Sequence, residues 1–593
     1  MERNRFFRQS CLWFTLVACL LSFVITSPVF ALGTENYEQG FRFGQAYKNE
    51  IMTNIRELQD KAVENKRDPG KLISYARRTE NLYESVLPEK IEWMKGVADG
   101  SGIPYEDVLV FNTADRMITG FVGECTTFIA HGKAVTGGGS IIAKNRDLGF
   151  QTLIEIGLHQ GATHPKGAVY KAAYIDIPQS EATYKFIGSR TAGRWGYGMG
   201  INEHQVAVSD NDAPSRDKLE FKEGLHDNDL VRIVLERAKT AREGVDVIAA
   251  VVSKYGQAWN GIMFEIGDPE ELWVVEITGR RWAAKKYTDT VTARSNQYQI
   301  GDDYDLAAPD LVSFAASQGW VKEGTEKINF RKVYSAEELY PEDNDLSKRK
   351  NVEKLYNTEM RYQRAMELLN ANQGKVTPEL VMSMCRDHFD TYTLPSGKTI
   401  KMNQVPFYSS EYADWLGFEW YTTQPEKDEV PCHMYVRGPC SHDLGWGTTS
   451  SSGILVSRPG VSDELGLMLH AFSPPCNSAY VPFYVGISDV DKRYTTPEAA
   501  VAFQSVMTRA FTKYTLHHDA IRKAFDPYEA GILKEMPEIE GKFEELKKAG
   551  KQDEAVGMLT SFVKDKCADA LNQVKAAHDN MTGKIYDKNK WSR

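Results

Sequence analysis

Two stretches decide how this chain folds: Gly123-Glu124-Cys125-Thr126-Thr127-Phe128-Ile129-Ala130 and Ser140-Ile141-Ile142-Ala143-Lys144-Asn145-Arg146-Asp147. Each is rich in β-branched or aromatic residues and predicts a strand, and the glycines between them supply a turn. If the two strands pair as a hairpin, the start of the first lies beside the end of the second. The hairpin then places Cys125 next to Arg146 and Asp147.

A thiol beside a cation and a carboxylate is a candidate reactive site, because the cation favours the thiolate and the carboxylate orients neighbouring donors. The alternative is that Cys125 is a small apolar strand residue, as free cysteine often is. No glycine-rich cysteine-protease motif surrounds it in the sequence, and no histidine lies at a spacing diagnostic of a Cys-His pair. A catalytic Cys125 therefore needs another base.

The α-amino group of the nucleophile can itself be this base, since a free α-amine titrates at about 7.7–8.0 and can accept a thiol proton. Cys125 is not N-terminal as translated, so this chemistry requires a cut between Glu124 and Cys125. The thiol can make the cut by attacking the carbonyl of Glu124, giving a thioester that water hydrolyses. Residues 32–124 are then a propeptide.

The composition is that of a globular protein of 593 residues, of which 42% are hydrophobic and 26% charged. A chain of this length can bury a large core and is expected to hold several structural units. The net charge of -10 argues against nucleic acid as a partner, because phosphate contacts need concentrated Lys and Arg.

Residues 1–31 have the three parts of a secretory signal peptide, namely early arginines, an apolar run from Cys11 to Ile25 and the small-residue site Val29-Phe30-Ala31. A lipoprotein box ending at Cys19 is the alternative, but it falls inside the apolar run rather than at its end. No later run reaches the length of a membrane span. We expect an exported protein, periplasmic or extracellular, with no stable membrane insertion once the signal is removed.

Eight cysteines are present, and two of them leave with the signal. The six that remain are Cys125, Cys385, Cys432, Cys440, Cys476 and Cys567. Cys432 and Cys440 flank the turn-like Arg437-Gly438-Pro439 and are the favoured disulfide pair in an oxidising compartment. A catalytic Cys125 must stay outside any such pair.

A metal cluster is suggested by Cys432-His433 together with Cys440 and His442. Adjacent Cys and His residues do not easily reach one ion, and the standard zinc spacing is missing, so a disulfide or plain burial is favoured. The proposed mechanism needs only a thiol, an amine and amide donors. The sequence therefore predicts no cofactor and no metal.

The order of elements along the chain favours an α+β protein in which helices cover the sheets. Apolar spacing predicts helices over most of 34–118, strands with two helices over 125–300, strands again at 430–486 and a helical end. The best-defined elements are the helices Asp229–Arg237, Val352–Asn370 and Pro378–Cys385, a helix opened by the capping box Thr240 with Glu243, and the hairpin of Met263–Ile266 with Leu272–Ile277.

Several ordered motifs resemble the mature C69 (U34) dipeptidases of the N-terminal-nucleophile hydrolase superfamily. They are Cys125-Thr126-Thr127-Phe128, Gly139 to Asp147, Gly200-Ile201-Asn202-Glu203, Trp273-Val274-Val275-Glu276, Arg294-Ser295-Asn296, Gly447-Thr448-Thr449-Ser450-Ser451 and Pro474-Pro475-Cys476-Asn477-Ser478. The resemblance spans residues 125–490 and implies a four-layer αββα sandwich.

The upstream segment is similar instead to the propeptide of the C45 acyltransferase-like relatives, through Tyr37 to Phe41, Gly96 to Gly100 and Asn112. The resulting plan is a signal peptide at 1–31, a helical propeptide at 32–124, a catalytic domain at 125–490 and a helical extension at 491–593. The extension is expected to be a packing or assembly element, which leaves a homo-oligomer open.

The resemblance implies that Cys125 is the nucleophile, that its freed amine is the base and that Asp147 orients the amine or the thiol. The choloylglycine hydrolase relatives carry Arg three residues before this Asp, where this chain has Lys144. Lysine keeps the charge but loses the guanidinium fork, and Arg146 is the residue that can compensate.

Two asparagines match the residues that would donate hydrogen bonds to the oxyanion in such a site. Asn296 follows a strand, as the superfamily asparagine does, and Asn211 is the weaker match. Amide donors stabilise a tetrahedral oxyanion, and losing one commonly costs about 10²–10³ in rate. The alternative for each asparagine is ordinary turn chemistry.

We therefore expect an exported, self-processing cysteine amidohydrolase that cleaves a small peptide, favoured as a dipeptide, through a thioester at Cys125. The alternative enzyme is a penicillin or N-acyl-amide acylase or acyltransferase, which the propeptide suggests. A third interpretation is a non-catalytic periplasmic binding protein on the same fold. A new N-terminus at Cys125 separates the two enzymes from the binding protein.

Overall fold

The computed structural model describes most of the chain. The described residues are 35–64, 66–86, 88–114, 118, 124–148, 152–219, 223–258, 260–336, 352–388, 391–393, 399–401, 438–443, 447–512 and 514–588. The signal peptide at 1–31, Cys432, His433 and the side chain of His442 lie outside this part, so the disulfide and metal interpretations that involve them stay predictions.

The helices of the described residues lie mainly in two blocks, one at each end of this part of the chain. They are α1 Glu35–Ala46, α2 Lys48–Glu64, α3 Pro69–Val86, α4 Pro88–Ser101, α5 Tyr105–Thr113, α6 Asp227–Arg237, α7 Ala241–Tyr255, α8 Leu311–Ser317, α9 Phe330–Tyr334, α10 Val352–Asn370, α11 Pro378–Cys385, α12 Glu498–Thr512, α13 Tyr514–Lys548 and α14 Gln552–Lys588. None of these helices combines the length and the apolar character that crossing a membrane requires.

The strands fill the middle of the chain. They are β1 Glu124–His131, β2 Ser140–Leu148, β3 Ile154–His159, β4 Ala162–Thr163, β5 Val169–Lys171, β6 Asp176–Pro178, β7 Ala182–Thr183, β8 Phe186–Thr191, β9 Met199–Asn202, β10 Ala207–Ala213, β11 Gly261–Gly267, β12 Leu272–Thr278, β13 Arg281–Tyr287, β14 Val291–Arg294, β15 Leu306–Ala307, β16 Thr391–Thr393, β17 Thr399–Lys401, β18 His442–Asp443, β19 Gly447–Ser457, β20 Leu467–Ala471 and β21 Val481–Tyr484.

Two antiparallel sheets form the centre of the molecule. The seven-stranded sheet has the order β14-β1-β2-β19-β20-β21, with β18 paired to β19, and the eight-stranded sheet has the order β15-β13-β12-β11-β10-β9-β8-β3. The sheets pack face to face where β1, β2 and β19 meet β10. Apolar residues such as Met199 and Ile142 fill the space between them.

Helices cover both outer faces. Helices α6 and α7 pack on the eight-stranded sheet through a core that includes Val234, Ile248 and Phe264. Helices α10 to α14 cover the seven-stranded sheet through a second core that includes Leu369 and Phe503. The predicted four-layer αββα sandwich is therefore confirmed.

The hairpin of β1 and β2 has the predicted register. Cys125 lies opposite Arg146, and Glu124 lies opposite Asp147. The turn is possible because Gly137, Gly138 and Gly139 all have positive φ, a conformation that glycine adopts without steric cost.

Helices α1 to α5 form a module of their own, upstream of β1. Helices α1 and α4 approach so closely that a Cβ at Gly96 would lie 2.1 Å from the carbonyl oxygen of Tyr37, and one at Gly40 would lie 2.1 Å from that of Trp93. The glycine pattern at 96–100 therefore has a packing reason. The module keeps a small core of its own around Ile91 and Met94.

The first residues of α6 and α7 can be compared with the sequence predictions, and only the start of α7 agrees. Helix α6 begins at Asp227 rather than Asp229, and its cap is His226, whose side chain accepts from the backbone N–H of Asn228. The predicted cap at Thr240 is confirmed, because its hydroxyl accepts from the N–H of Glu243 at 3.1 Å. An imidazole nitrogen can accept a hydrogen bond as a Ser or Asp oxygen does, so His226 serves as the cap.

Candidate active site

Cys125 is the second residue of β1, which lies between β14 and β2 in the seven-stranded sheet. Thr127, two residues further on, donates its hydroxyl to Asn211 Oδ1 of β10 at 2.7 Å. Side chains two apart on a strand share a face, so the thiol also points toward the eight-stranded sheet. It is 6% exposed and forms no disulfide with any described cysteine.

The backbone nitrogen of Cys125 is held by the predicted asparagine. Its N–H donates to Asn296 Oδ1 at 2.9 Å, and Asn296 Nδ2 in turn donates to the carbonyl oxygen of Asp212 at 3.0 Å. Asn296 can reach this nitrogen because it lies two residues after β14, which pairs with β1. The amide of Asn296 thus connects the backbone of Cys125 to the eight-stranded sheet.

Arg361 is a site residue that the sequence analysis missed. It lies on α10, is fully buried, and donates to the carbonyl oxygen of Cys125, to Thr126 Oγ1 at 2.9 Å and to Asn296 Oδ1 at 2.8 Å. The sequence signal was an arginine on the same helical stripe as Ala365 and Leu369, which are also fully buried. A charged residue among the apolar positions of a helix indicates that a buried hydrogen-bond acceptor faces it.

Lys144 and Arg146 share the thiol's face of the sheet but have different partners. Lys144 Nζ lies 2.6 Å from Asp210 Oδ1 in a buried ion pair and donates to the carbonyl oxygen of Gly198 at 3.2 Å. Burial lowers the pKa of Lys144, but the attraction of Asp210 outweighs it, so the pKa lies above its ordinary value and the side chain is charged.

The guanidinium of Arg146 reaches across to the second sheet and its covering helix. It donates to Thr191 Oγ1 at 3.1 Å and to Asn228 Oδ1 at 3.3 Å. Its backbone lies opposite Cys125, as predicted, while the ammonium of Lys144 is the cation that acts on the pKa of the thiol.

The thiol of the uncut chain is not activated. Burial raises the pKa of Cys125 to about 12, and the carboxylates of Asp210, Asp147 and Asp212 add to the rise, while the charge of Lys144 opposes it. The charge of Lys144 favours the thiolate, as expected of a neighbouring cation, but loss of hydration and three nearby acids outweigh one ammonium.

Asn211 lies on β10, close to the candidate nucleophile. It accepts from Thr127, and its Nδ2 donates to the carbonyl oxygen of Ser295 at 3.3 Å. The side-chain nitrogens of Asn211 and Asn296 therefore both bind backbone carbonyls in the uncut chain. Their roles as oxyanion donors stay predictions.

Asp147 faces away from the thiol. It shares a strand face with Asn145, whose side chain donates to the carbonyl oxygen of Cys385 on α11, so this face looks toward the covering helices. Asp147 Oδ1 accepts from Thr449 Oγ1 at 2.6 Å, and that hydroxyl accepts from the N–H of Ser441 at 2.9 Å. Asp147 acts on Cys125 through its charge, and its orienting role stays a prediction.

Comparison with known proteins matches the same part of the chain. The model of peptidase family C69 matches residues 124–512. Probable dipeptidase B of Lactococcus lactis subsp. lactis (strain IL1403) is 26% identical over 399 residues, covering 63% of this chain and 76% of that protein. A probable dipeptidase of Latilactobacillus sakei is 24% identical over 396 residues, covering 62% of this chain and 76% of the relative.

Two solved structures are also similar to the chain. A mutant of conjugated bile acid hydrolase from Clostridium perfringens has a TM-score of 0.29 at 11% identity, covering 61% of this chain and 92% of that one. Penicillin V acylase from Agrobacterium tumefaciens has a TM-score of 0.27 at 12% identity, covering 60% of this chain and 86% of that one. Both TM-scores are low, so the assignment follows from the family match.

The class of protein is therefore a hydrolase of peptide bonds. More particularly, the chain belongs to peptidase family C69, whose model begins at Glu124, one residue before the cysteine at the centre of the site.

Proposed function

We propose that this protein is a cysteine-dependent dipeptidase that cuts itself between Glu124 and Cys125. The observation that carries the proposal is the way the backbone of Cys125 is held. Its nitrogen, which would become the new α-amine, donates to Asn296, and Arg361 binds its carbonyl oxygen. The future nucleophile is thus fixed on both sides of its Cα before any cut is made.

The cut is an acyl shift from nitrogen to sulfur. The sulfur of Cys125 attacks the carbonyl carbon of Glu124, the bond from that carbon to the Cys125 nitrogen breaks, and the thiol proton ends on the nitrogen. Water then hydrolyses the thioester, which gives a carboxylate at Glu124 and returns the thiol.

The processed enzyme repeats this chemistry on a substrate. The free amine of Cys125 accepts the thiol proton, the sulfur attacks the scissile carbonyl, and the proton passes to the leaving amine. Water completes the cycle by hydrolysing the thioester. Asn296 and Asn211 are the proposed donors to the oxyanion, and Lys144 and Arg146 supply positive charge around it.

A dipeptide is the proposed substrate class, supported by the names of the two relatives, both called probable dipeptidases. The resemblance of the upstream segment to acyltransferase propeptides supports N-acyl amides as the second class. A panel of dipeptides and N-acyl amides tested on the processed enzyme distinguishes them. Hydrolysis of acyl amides with no turnover of any dipeptide would reject the dipeptidase.

Intact-mass measurement tests the processing step. We expect two fragments that meet at the 124/125 bond in the wild type, and one uncut, inactive chain in Cys125→Ala. The matched control is Cys567→Ala, since Cys567 is buried on α14 and is not part of the site. The control should be cut and active.

Two outcomes would reject this proposal. Turnover by a chain still joined across 124 and 125 would exclude the amine as base. A wild-type chain that is folded, uncut and inactive on the whole panel would favour the binding-protein interpretation. Thermal unfolding of Cys125→Ala shows whether the variant is folded.

Export is also proposed, on the signal-peptide pattern of residues 1–31. Cell fractionation with mass measurement tests it. We expect the protein outside the cytoplasm, beginning close to residue 32. A protein that stays in the cytoplasm with residues 1–31 attached would contradict export without affecting the processing proposal.

A further inference from the structure

Three metal-ligating side chains meet on the helix-covered side of the seven-stranded sheet, away from the thiol of Cys125. They are His388 after α11, Cys440 before β18, and Cys476 in a short 3-10 helix at Pro475–Asn477. Their ligand atoms all lie within 4.8 Å of one another. The chain segments that bring them together are far apart in the sequence.

We infer that His388, Cys440 and Cys476 bind a zinc-like soft divalent ion. The two sulfurs lie 3.7 Å apart. Two thiolates at about 2.3 Å from one tetrahedral zinc lie roughly 3.8 Å apart, whereas a disulfide requires about 2.05 Å. The imidazole of His388 lies beside the two sulfurs. It would have no function in a disulfide, but it adds a third ligand to a metal site.

The three segments are fixed by contacts of their own. The N–H of Cys440 donates to the carbonyl oxygen of Asp387, the residue before His388, at 3.1 Å. Asp387 in turn pairs with Arg364 at 2.7 Å, and Arg386 donates to the carbonyl oxygen of Pro475 at 3.0 Å. Such contacts hold the ligands in place before an ion binds, which lowers the entropic cost of binding.

His518 on α13 is nearby but does not belong to the group whose ligand atoms lie within 4.8 Å of one another, so it would have to move toward the ion to become a fourth ligand. Two thiolates and two neutral imidazoles would form a closed Cys2His2 set, the kind that serves structure rather than catalysis. The charge of a divalent ion cancels that of two buried thiolates, so the bound site can stay buried.

The inferred ion would stabilise the turn around Cys440, whose neighbours are hydrogen-bonded to residues near the active site. Asn145 of β2 donates to the carbonyl oxygen of Pro439, next to Cys440, at 2.7 Å. Ser441, on the other side of Cys440, donates to Thr449, which donates to Asp147. The metal would therefore be a positioning element behind Asp147, and it would not touch the substrate.

Metal content tests the inference, and it is best measured on Cys125→Ala so that the candidate nucleophile cannot bind the ion itself. This background also keeps the result independent of self-processing. We expect about one zinc per chain by elemental analysis, and less than a tenth of that after adding Cys440→Ser or Cys476→Ser. The matched control is Cys567→Ser, a buried thiol elsewhere, which should keep the full content.

Two further measurements cover the case in which the serine variants fail to fold. In the Cys125→Ala protein, alkylation should modify two more thiols after a chelator is added, and the melting temperature should fall. Cobalt substitution should give thiolate-to-cobalt charge-transfer absorption, and His388→Gln should change the spectrum. If His518→Gln changes it as well, His518 is the fourth ligand, and if not, the fourth position holds water.

Several results would overturn the inference. A disulfide between Cys440 and Cys476 in peptide mapping would do so. The inference would also be rejected if the chelator left the alkylation of the thiols unchanged and the protein did not bind added zinc. Equal zinc content in Cys476→Ser and Cys567→Ser would indicate adventitious metal.

Discussion

The two helical regions at either end of the sandwich are attached in different ways. Helices α12 to α14, downstream, share one continuous apolar core with the seven-stranded sheet, in which Phe503 stacks on Phe472 with ring centroids 5.7 Å apart. Helices α1 to α5, upstream, keep small clusters of their own, and Trp195 is the residue of the sandwich that packs against the larger cluster. Lys90 adds a buried ion pair with Glu155 of β3.

The difference fits what each region would have to do. Removing the downstream helices would expose a large apolar face of the sheet, and apolar burial is the main stabilising contribution to folding. The upstream module can lose its covalent link at the 124/125 bond and still keep its own core.

The largest expected effect comes from truncating the shared core. Phe503→Ala should destabilise the sandwich by about 3–5 kcal/mol, because it leaves a cavity in a fully buried stack. Met94→Ala, the matched change in the upstream core, should affect the module alone. Hydrogen exchange read on peptides from 35–114 and from 447–512 separates the two. Equal loss of protection in both regions from either variant would mean that they unfold as one unit.

The free energy of unfolding of the sandwich should also depend on pH. Burial raises the pKa of Glu265 on β11 to about 8, so between about pH 5 and 8 the folded protein holds a proton that the unfolded chain releases. This proton alone should lower the free energy of unfolding by roughly 3–4 kcal/mol as the pH rises through this window, whereas buried histidines such as His159 and His470, whose pKa values are lowered, contribute with the opposite sign. Urea unfolding at several pH values measures the slope.

The control for this slope is a pair of neutral substitutions. Glu265→Gln should remove the Glu265 contribution from the pH curve, whereas Glu181→Gln, at an exposed position, should leave the curve unchanged. A difference in stability between the wild type and Glu265→Gln that stays constant between pH 5 and 8 would contradict the raised pKa.

The stability of the upstream module should depend on the close packing of α1 against α4. Gly96→Ala would push a methyl group into the backbone of α1 at Tyr37, so we expect a loss of about 1–3 kcal/mol in the module. Gly541→Ala on α13 is the matched control, because a Cβ there meets nothing within 4 Å. Hydrogen exchange of 35–114 should rise in the first variant only. Unchanged exchange would show that α1 and α4 can move apart at no cost.

The sequence predicted local pairing well and long-range placement poorly. The register of β1 and β2 could be predicted because a glycine turn fixes a hairpin, and α10 begins and ends as its apolar spacing indicates. Arg361 could not be assigned from that spacing, since the partner of a helix face is decided by tertiary packing. The approach of Cys476 to Cys440 could not be predicted either, because the two residues lie 36 positions apart and the fold alone brings them together.

The smallest expected effect tests what would hold the upstream module in place after the proposed cut. Lys90 Nζ lies 2.8 Å from Glu155 and also contacts the carbonyl oxygen of Thr495. Burial lowers the pKa of Lys90 although Glu155 opposes the shift, so the ion pair does not fully recover the cost of desolvation. Lys90→Met keeps the length of the side chain, and Arg190 still pairs with Glu155 at 2.8 Å.

We therefore expect Lys90→Met to weaken docking of the processed module by about 1–2 kcal/mol, or roughly tenfold in its dissociation constant. Dilution of the processed protein followed by mass photometry measures the fraction that has lost the module. Lys95→Met is the matched control, because Lys95 pairs with Glu92 of its own helix in a largely exposed contact. If both variants release the module as the wild type does, Trp195 and its apolar neighbours hold it, and the two helical regions differ less than their contacts indicate.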